Sequence, residues 1–364
     1  MNNMRETIVE NIRRTIESTR QKYNKERLHS YNKKIALTAL EVLEKQKGRL
    51  SFRLKREADE YASEVLGSRK YSPWLYVYSS IKNSFVEGWF PEYYCDLVVR
   101  PLTDGRYGNL AIIKTLTNRI LNSDSIPDTA YLIDGILYSN KFMPVEQKDA
   151  LNVIFKDSEV VFFKINDSAS GKGVRRIEKN DFNLQNPLFR FDGCFQSIII
   201  PHDFFREINR SSTSTIRITT IRDNVGEVSA RAAYLRVGRE TDSFVKSDSG
   251  VRIPIEISSG SLGNVGFMND WTFSSKHPDS GFIYSGKQIP YFADAKQLCI
   301  SLHKSFPHFM LIGWDLCINQ NNEVKIMEWN ANGAGILFHE AFTGPCFSDL
   351  GWEKLWKEPH KQMP

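Results

Sequence analysis

Carboxylate and amide residues near the C-terminal end of the chain have the types and spacing of a metal-binding hairpin. Within residues 311–333, two apolar runs flank the polar turn Asn319–Asn322, which predicts a β-hairpin. Asp315 lies in the first run, whereas Glu328 and Asn330 lie two positions apart in the second and should share one strand face. Oxygen ligands with only two carboxylates suit Mg²⁺ that also binds phosphates. The alternative is a surface hairpin with incidental acidic residues.

A glycine-rich loop lies upstream of this hairpin. Residues 160–177 predict a strand, a short loop and a second strand, and Lys164 ends the first apolar run. Glycines in such a loop allow backbone N–H groups to approach phosphate oxygens. The loop lacks the Gly-Lys-Ser/Thr sequence that opens a helix in a Walker A motif. A plain hairpin turn is the alternative, but the loop and the metal-type hairpin together indicate nucleotide binding.

An ordered set of short motifs extends from Tyr71 to Gly344. It comprises Phe163-Lys164 before Ser168–Val174, Phe195–His202, Asn209, Ser214–Thr220, Arg236–Gly238, Ile289-Pro290, Gly313–Asp315 and Glu328–Asn330. This order resembles the ATP-grasp superfamily, and more closely its branch associated with sugar transfer in surface-polysaccharide gene clusters. Residues 1–70 lie outside the resemblance.

The resemblance implies an α+β protein with the ATP-grasp fold, in which two α+β lobes close on ATP. The alternation of antiparallel strands and helices after residue 70 predicts the same class. We expect a basic helical N-terminal segment (1–70), an N-terminal α/β subdomain (71–150), a small lobe with the glycine loop (151–205) and a large lobe with the metal hairpin (206–364).

The resemblance also implies roles at the metal and phosphate sites. Asp315, Glu328 and Asn330 are expected to bind two Mg²⁺ ions, with Glu328 bridging them. Lys164 is expected to reach the phosphates and to assist the reaction, because phosphoryl transfer depends on positioning and charge neutralisation. A strand-end lysine that extends to water is the alternative for Lys164. The other residues expected at the phosphates are Ser170, Gly171, Lys172, Gly173 and Asn332.

Lys114 corresponds in the resemblance to an earlier nucleotide-binding lysine of the family. The Asp that usually precedes that lysine is replaced here by Ile113. A surface helix lysine is therefore the alternative for Lys114.

The adenine site is expected on an apolar strand that ends at Pro201. The resemblance implies that the backbone of this strand pairs with the base and that its apolar side chains enclose the ring. In this family, a polar residue just after the strand usually contacts adenine or ribose. His202 stands at this position, and the alternative is that it is a structural turn residue. The residues expected at the base and ribose are Gln196, Ser197, Ile198, Ile200, His202 and Asp203.

Arginines on two predicted strands are candidates for contacts with the reacting groups. Arg217 lies in the Ser-Thr-Ile-Arg motif, and its guanidinium fork suits a transferred phosphate or an acyl phosphate. A structural ion pair is the alternative for Arg217. Arg231 and Arg236 alternate with apolar residues on the next strand, and one of them is expected to hold an acceptor carboxylate.

Composition agrees with a cytoplasmic enzyme. The 364 residues are 41% hydrophobic and 25% charged, which is ordinary for a globular protein and enough for two or three subdomains. No run of 18 apolar residues and no signal-peptide pattern occurs. The five cysteines have no Cys-x-x-Cys spacing, which suits a reducing compartment.

The positive charge is concentrated in residues 1–70. This segment has 17 Lys and Arg against 10 Asp and Glu, a net charge of +7, whereas the whole chain has +5. Apolar residues at helical spacing, such as Ile8, Ile12 and Ile16, predict helices. We expect these helices to pack on the catalytic body, with contact to the inner face of a membrane as an alternative. Nucleic-acid binding is not expected, because no recognised motif supports it.

The resemblance implies an ATP-dependent carboxylate–amine ligase that acts through an acyl phosphate. Its substrates would be a small-molecule or glycan-linked carboxylate and an amine, such as a sugar acid and an amino acid. An ATP-grasp phosphotransferase acting on a hydroxyl group would have the same motifs and remains an alternative. A non-catalytic nucleotide-binding protein is a third possibility, which the presence of Lys164 and of all three metal-ligand residues argues against.

Overall fold

The computed structural model describes residues 2–105, 107–168, 171–211, 213–241 and 250–358, with side chains throughout these ranges except at residues 2–18 and 21. The chain divides into two compact units. One unit contains Met1–Leu102 with Glu340–Pro364, and the other contains Thr103–His339. The protein is α+β, with two antiparallel sheets that both lie in the second unit.

The first unit is helical. Its helices are α1 (Asn2–Lys47), α2 (Phe52–Glu64), α3 (Ser72–Lys82) and α4 (Glu92–Tyr94), followed by a π-helix at Cys95–Val99 and by α5 (Arg100–Thr103), which ends at the start of the second unit. The start of α2 is capped by the Ser51 hydroxyl, which accepts a hydrogen bond from the Leu54 N–H. The helices predicted in residues 1–70 are present, and Ile8, Ile12 and Ile16 lie on one long helix.

The second unit contains the remaining helices and all the strands. The helices are α6 (Thr117–Leu121), α7 (Ala150–Ile154), α8 (Asp203–Ile208), α9 (Phe292–Ser305) and α10 (Leu337–Phe342), whose last residues belong to the first unit. The strands are β1 (Asp128–Ile133), β2 (Ile136–Ser139), β3 (Val160–Ile165), β4 (Val174–Glu178), β5 (Gly193–Ser197), β6 (Thr215–Arg222), β7 (Val228–Val237), β8 (Val251–Ile255), β9 (Gly266–Phe267), β10 (Phe273–Ser274), β11 (Leu311–Ile318) and β12 (Val324–Asn330). Short 3₁₀ helices lie at Arg69–Tyr71, Tyr107–Ile112, Lys114–Leu116, Gln147–Asp149, Lys179–Asp181, Pro187–Arg190, Ser348–Leu350 and Trp352–Lys357.

The smaller sheet has the strand order β2-β1-β5-β3-β4. Side chains alternate between its faces, so that Val161, Phe163 and Phe195 enter an apolar core that also includes Ile154 of α7. Phe162 and Lys164 therefore lie on the opposite face, which lines a cavity.

The larger sheet has the strand order β10-β9-β8-β7-β6-β11-β12. Helix α9 packs on it through Phe292, Ala295, Cys299 and Leu302, whose spacing of three and four residues forms one helical face. The predicted hairpin within residues 311–333 is present, and β6 and β7 form a second hairpin in the same sheet. The short strands β8, β9 and β10 extend this sheet beyond β7.

The four segments expected from the sequence do not coincide with the two compact units. The smaller sheet already begins at Asp128, because β1 pairs with β5 across a long sequence separation. Residues 340–358 belong to the helical unit, where the Glu340 carboxylate accepts hydrogen bonds from the N–H groups of Phe90 and Cys346. Such long-range contacts leave no mark in local composition.

Among the described residues, no helix combines the length and the apolar character that crossing a bilayer requires.

Candidate functional site

A cavity of about 390 Å³ lies in the second unit, between residues of the smaller and larger sheets. Its wall combines cationic, acidic, amide and apolar groups. The lining residues are Ala111, Ile112, Lys114, Phe162, Lys164, Ser168, Gly171, Val174, Gln196, Ser197, Ile199, Thr213, Thr215, Arg217, Arg236, Asp315, Met327, Glu328, Trp329, Asn330, Asn332 and Gly333.

The metal-type hairpin brings its three predicted ligands to this cavity. Asp315 of β11 lies directly opposite Glu328 of β12, and Gly313 lies opposite Asn330. The register shifts between Glu328 and Ile326, so Met327 is the extra residue of a β-bulge. Because of this bulge, Met327 and Glu328 both line the cavity, whereas Ile326 contributes to the core.

Asp315 forms a buried bidentate ion pair with Arg217 of the neighbouring strand. The Arg217 Nε and Nη2 groups donate to Oδ1 and Oδ2 of Asp315 at 2.7 and 2.8 Å, and Nη1 donates to the Ala334 carbonyl at 2.7 Å. Gly313 permits this close approach, because a Cβ there would lie 2.6 Å from the Ala334 oxygen and 3.1 Å from Nη1. The Arg217 guanidinium group, which was predicted to bind a phosphate, is therefore occupied by Asp315. The alternative, a structural ion pair, is the arrangement observed.

The charges of this pair also control the pKa of Asp315. Burial alone would raise that pKa, but Arg217 and the nearby Arg236 outweigh burial and hold it below its ordinary value. Conversely, burial would lower the pKa of Arg217, and Asp315 raises it instead. Both groups are thus ionised in the folded protein near neutral pH.

Arg236 is a second arginine that lines the cavity, beside Arg217. Its Nη2 lies 3.4 Å from the Tyr234 hydroxyl and 3.9 Å from Oδ1 of Asp315, both longer than strong hydrogen bonds. Its buried Nε has no hydrogen-bond partner within the described part of the chain. Arg231, the other candidate on this strand, does not line the cavity.

Two lysines, Lys164 of β3 and Lys114 of the 3₁₀ helix Lys114–Leu116, line the cavity. Lys164 donates to the Met327 carbonyl at 2.9 Å, so it spans from β3 to β12. Lys114 is only 7% exposed and is not the surface helix residue that was the alternative. Its Nζ donates to the Ser168 carbonyl at 2.7 Å and lies 3.6 Å from Oε1 of Glu328.

Several hydrogen bonds fix the base of the glycine loop to the segment that carries Lys114. Thr115 N–H donates to Oδ1 of Asn166, and the amide group of Asn166 donates back to the Thr115 hydroxyl, both at 3.1 Å. The Asp167 N–H also donates to the Ile112 carbonyl at 3.1 Å. These contacts hold Lys114 beside the loop.

The predicted loop residues have different positions. Gly171 has a left-handed φ of +75° and lines the cavity, whereas Gly173 is buried next to Ser168 and does not line it. Lys172 is exposed and does not line the cavity either, so it is not placed as the added phosphate charge. Ser170 lies outside the described residues.

The predicted adenine strand ends earlier than expected. Strand β5 ends at Ser197, and residues 198–202 pair instead with the end of the metal hairpin, where Gln320 N–H donates to the Ile200 carbonyl and His202 N–H to the Ile318 carbonyl. Gln196 and Ser197 line the cavity, whereas Ile198 and Ile200 line a separate cleft.

His202 and Asp203 do not reach the cavity. His202 caps α8, because its Nδ1 accepts a hydrogen bond from the Phe204 N–H at 3.0 Å. Asp203 is exposed and pairs with Arg206 at 3.2 Å. His202 is thus a structural turn residue, which was the alternative. It lies away from the cavity because the chain has crossed from the smaller sheet to the larger sheet before this point.

The chemistry of the donor set fits Mg²⁺. Asp315 keeps lone pairs beyond those used by Arg217, and Glu328 is 38% exposed at its side chain. Asn330 Nδ2 lies 3.4 Å from Oδ2 of Asp315, so the amide is within reach of the same carboxylate. No group of three or more His, Cys, Asp or Glu that could hold a metal occurs among the described residues. Such a set suits an ion that completes its coordination with phosphates and water.

Sequence reasoning missed several cavity residues. Thr215 precedes Arg217 by two positions on β6, and strand alternation could have identified it. Met327 has no such signal, because the bulge that turns it towards the cavity depends on pairing with β11. Asn332, which was predicted, lines the cavity and its amide donates to Oδ1 of Asn109 at 3.0 Å.

Part of the chain matches the model of a known protein family. Residues 192–346 match the family described as sugar-transfer associated ATP-grasp. This match confirms the resemblance seen in the sequence. No protein of curated function matches the chain.

Solved structures also align with this chain. The N5-carboxyaminoimidazole ribonucleotide synthetase of Thermotoga maritima aligns with a TM-score of 0.36 and 12% identity over 63% of this chain and 44% of that protein. The N5-carboxyaminoimidazole synthetase of Staphylococcus aureus complexed with ADP gives 0.37 and 14%, over 61% and 45%. The ATP-grasp ligase PsnB complexed with its minimal precursor, Mg and ADP gives 0.39 and 14%, over 70% and 62%. The chain spans less than two thirds of the length of each.

Proposed function

We propose that this protein, a member of the sugar-transfer associated ATP-grasp family by its residues 192–346, is an ATP-dependent carboxylate–amine ligase. It would use Mg²⁺-ATP to convert a carboxylate into an acyl phosphate and then join that acyl group to an amine. The overall products would be an amide, ADP and orthophosphate.

The observation that carries this proposal is one cavity in which lysines face carboxylates. Lys164 of β3 and Lys114 of the 3₁₀ helix Lys114–Leu116 line it, as do Asp315, Glu328 and Asn330 of the hairpin. Lysines on one side and oxygen ligands that would hold Mg²⁺ on the other suit a polyphosphate. The lysines and the metal ion would each offset part of its negative charge. The apolar residues of the same wall suit a flat base.

The proposed ligase reaction has two steps. In the first step, a carboxylate oxygen attacks the terminal phosphorus, and the bond to the bridging oxygen breaks to release ADP. In the second, the amine nitrogen attacks the acyl carbon, orthophosphate leaves, and the nitrogen loses a proton. Arg236 lines the cavity with a guanidinium group that has only long contacts, so we assign it to the acyl phosphate oxygens.

Arg217 has a different role in this proposal. Because Asp315 and Ala334 occupy its three nitrogens, it positions Asp315 as a ligand instead of binding substrate itself. Asp315, Glu328 and Asn330 would hold Mg²⁺, which neutralises charge on phosphate oxygens when bound.

The nature of the two substrates is proposed from the family description, which associates the matched segment with sugar transfer. A sugar acid, such as a hexuronic acid or a nucleotide-linked uronic acid, would supply the carboxylate. An amino acid would supply the amine.

The test is release of ADP and orthophosphate from Mg²⁺-ATP with hexuronic acids and nucleotide-linked uronic acids screened against a pool of amino acids. Products are identified by mass spectrometry, and reactions with Glu328→Gln or with excess EDTA are the controls. We expect ADP and orthophosphate only when acid and amine are both present, with a product lighter than their sum by one water. ADP without orthophosphate, together with a phosphorylated product, would instead establish a phosphotransferase.

A further inference from the structure

A buried hydrogen-bond network lies at the edge of the cavity beside its apolar wall. Gln196 of β5 lies between Phe162 of β3 and Asp128 of β1 in the sheet register. Because Phe195 enters the core, Gln196 shares the cavity face with Phe162, and both residues line the cavity. Ile199 and Met327 add further apolar surface to the same wall.

Asp128 fixes the orientation of the Gln196 amide. The Gln196 Nε2 group donates to Oδ1 of Asp128 at 2.7 Å, and the Tyr131 hydroxyl donates to Oδ2 at 3.0 Å. Asp128 is 3% exposed and Gln196 is 6% exposed, so water cannot easily replace these bonds. An ionised carboxylate only accepts hydrogen bonds, so Gln196 must turn its nitrogen towards Asp128 and its oxygen away from it.

We propose that Asp128 is a specificity-determining residue: by holding Gln196 in this orientation, it makes the cavity offer an amide oxygen to the nucleotide base and thereby select a base with an exocyclic amine. This inference rests on the proposed function, since it takes the cavity to be the nucleotide site. Adenine carries an amine at position 6, whereas hypoxanthine carries a carbonyl there. An acceptor that faces another acceptor is left without a partner, which disfavours the second base.

The charge state of Asp128 agrees with this role. Burial raises its pKa to about 6, against the opposing hydrogen bonds from Gln196 and Tyr131 and the charge of Lys164. Asp128 is therefore mainly ionised and purely an acceptor at about pH 8. In an Asp128→Asn variant the new amide could donate to the Gln196 oxygen, which allows Gln196 to present its nitrogen to the base.

The experiment measures the dissociation constants of Mg²⁺-ADP and Mg²⁺-IDP by calorimetry at about pH 8, where Asp128 is ionised. Binding needs no acceptor, so its result is independent of the unidentified substrates. We expect the wild-type protein to bind ADP about 10- to 100-fold more tightly than IDP, and Asp128→Asn to reduce that ratio to within about threefold of unity. Tyr131→Phe is the matched control, because it removes the other contact to Asp128 and should retain the wild-type ratio.

A second variant tests the same inference if Asp128→Asn does not fold. Gln196→Leu leaves Asp128 with its Tyr131 partner and should also abolish the preference for ADP, while thermal denaturation reports whether each variant is folded. A wild-type ratio in folded Asp128→Asn or in Gln196→Leu would overturn the assignment of Asp128. Failure of the wild-type protein to bind ADP at all would overturn the proposed function, and the inference with it.

Discussion

Arg217 and Asp315 are cross-strand neighbours on β6 and β11, and they form a bidentate ion pair that is almost wholly removed from water. Their side chains are 7% and 9% exposed. The pair fixes Asp315, the first of the proposed metal ligands, while the second, Glu328, lies opposite Asp315 and lines the cavity. The two carboxylates of the hairpin therefore differ in their contribution to folding, and substitution should separate them.

Asp315→Asn should destabilise the fold. The amide removes the negative charge that Arg217 requires, and an unpaired buried guanidinium cannot lose its proton. We expect the free energy of unfolding to fall by about 3–5 kcal/mol, as is typical when one partner of a buried pair is removed. Urea denaturation monitored by circular dichroism measures this loss. A variant as stable as the wild type would show that the pair contributes nothing to the fold.

Glu328→Gln should leave the stability of the fold nearly unchanged but strongly reduce ADP formation. Its side chain is 38% exposed, and its nearest cation is Lys114 at 3.6 Å, so little stability depends on the charge. ADP formation should fall by more than about 100-fold, because a metal-ligand charge is lost from the reaction site. Glu323→Gln, an exposed acid next to the turn of the same hairpin, is the control and should retain activity. Undiminished ADP formation by Glu328→Gln would remove Glu328 from the metal site.

The sequence predicted the elements of the site better than the contacts within it. The hairpin that carries Asp315 and Glu328 could be predicted, because a polar turn between two apolar runs is a local signal. The bulge at Met327, the Arg217–Asp315 pair and the Asp128–Gln196 bond could not, because each depends on strand pairing between distant residues. The position of His202 outside the cavity could not be predicted for the same reason, because it follows from the pairing of residues 198–202 with the end of the hairpin.

Lys164 and Lys172 should differ sharply in their effect on nucleotide binding. Lys164 lines the cavity and donates to the Met327 carbonyl, whereas Lys172 is exposed and outside the cavity. Lys164→Met should weaken Mg²⁺-ADP binding by about 10- to 100-fold, since a charge-assisted bond to phosphate is lost. Lys172→Met is the matched control and should change the dissociation constant less than about threefold. Equal losses in both would restore Lys172 as a phosphate ligand.

The reciprocal bonds between Thr115 and Asn166 should act as one unit that positions Lys114. Asn166→Ala removes both bonds and frees the base of the glycine loop, so the KM for ATP should rise by about tenfold. Thr115→Val removes only the hydroxyl bond and should have a smaller effect. Asn183→Ala, in an exposed turn, is the control.

A double-mutant cycle checks whether Thr115 and Asn166 are coupled. Because the Thr115 hydroxyl bond is already absent in Asn166→Ala, adding Thr115→Val should raise the KM little further. Fully additive effects would mean that the two side chains act separately and that the pair is not a positioning unit.

His303 should make the stability of the fold depend on pH. This buried residue receives a hydrogen bond from the Thr220 hydroxyl at Nδ1, since Nε2 must carry the proton it donates to the Phe309 carbonyl at 3.0 Å. Burial, with a smaller contribution from Arg222, lowers the pKa of His303 to about 4 despite the bond to Phe309. The unfolded chain has the higher pKa, about 6.5, so protonation favours unfolding.

The stability contributed by neutral His303 is therefore complete above about pH 6.5 and is lost as pH falls towards 4, up to about 3 kcal/mol in all. His303→Gln, which cannot titrate, should reduce the fall in unfolding free energy across this window, whereas exposed His308→Gln should not. Buried His339 acts in the same direction, and Glu340, whose pKa burial raises to about 8, acts in the opposite one. The difference between variant and wild type isolates His303 from both, and identical pH profiles would show that its protonation is not coupled to folding.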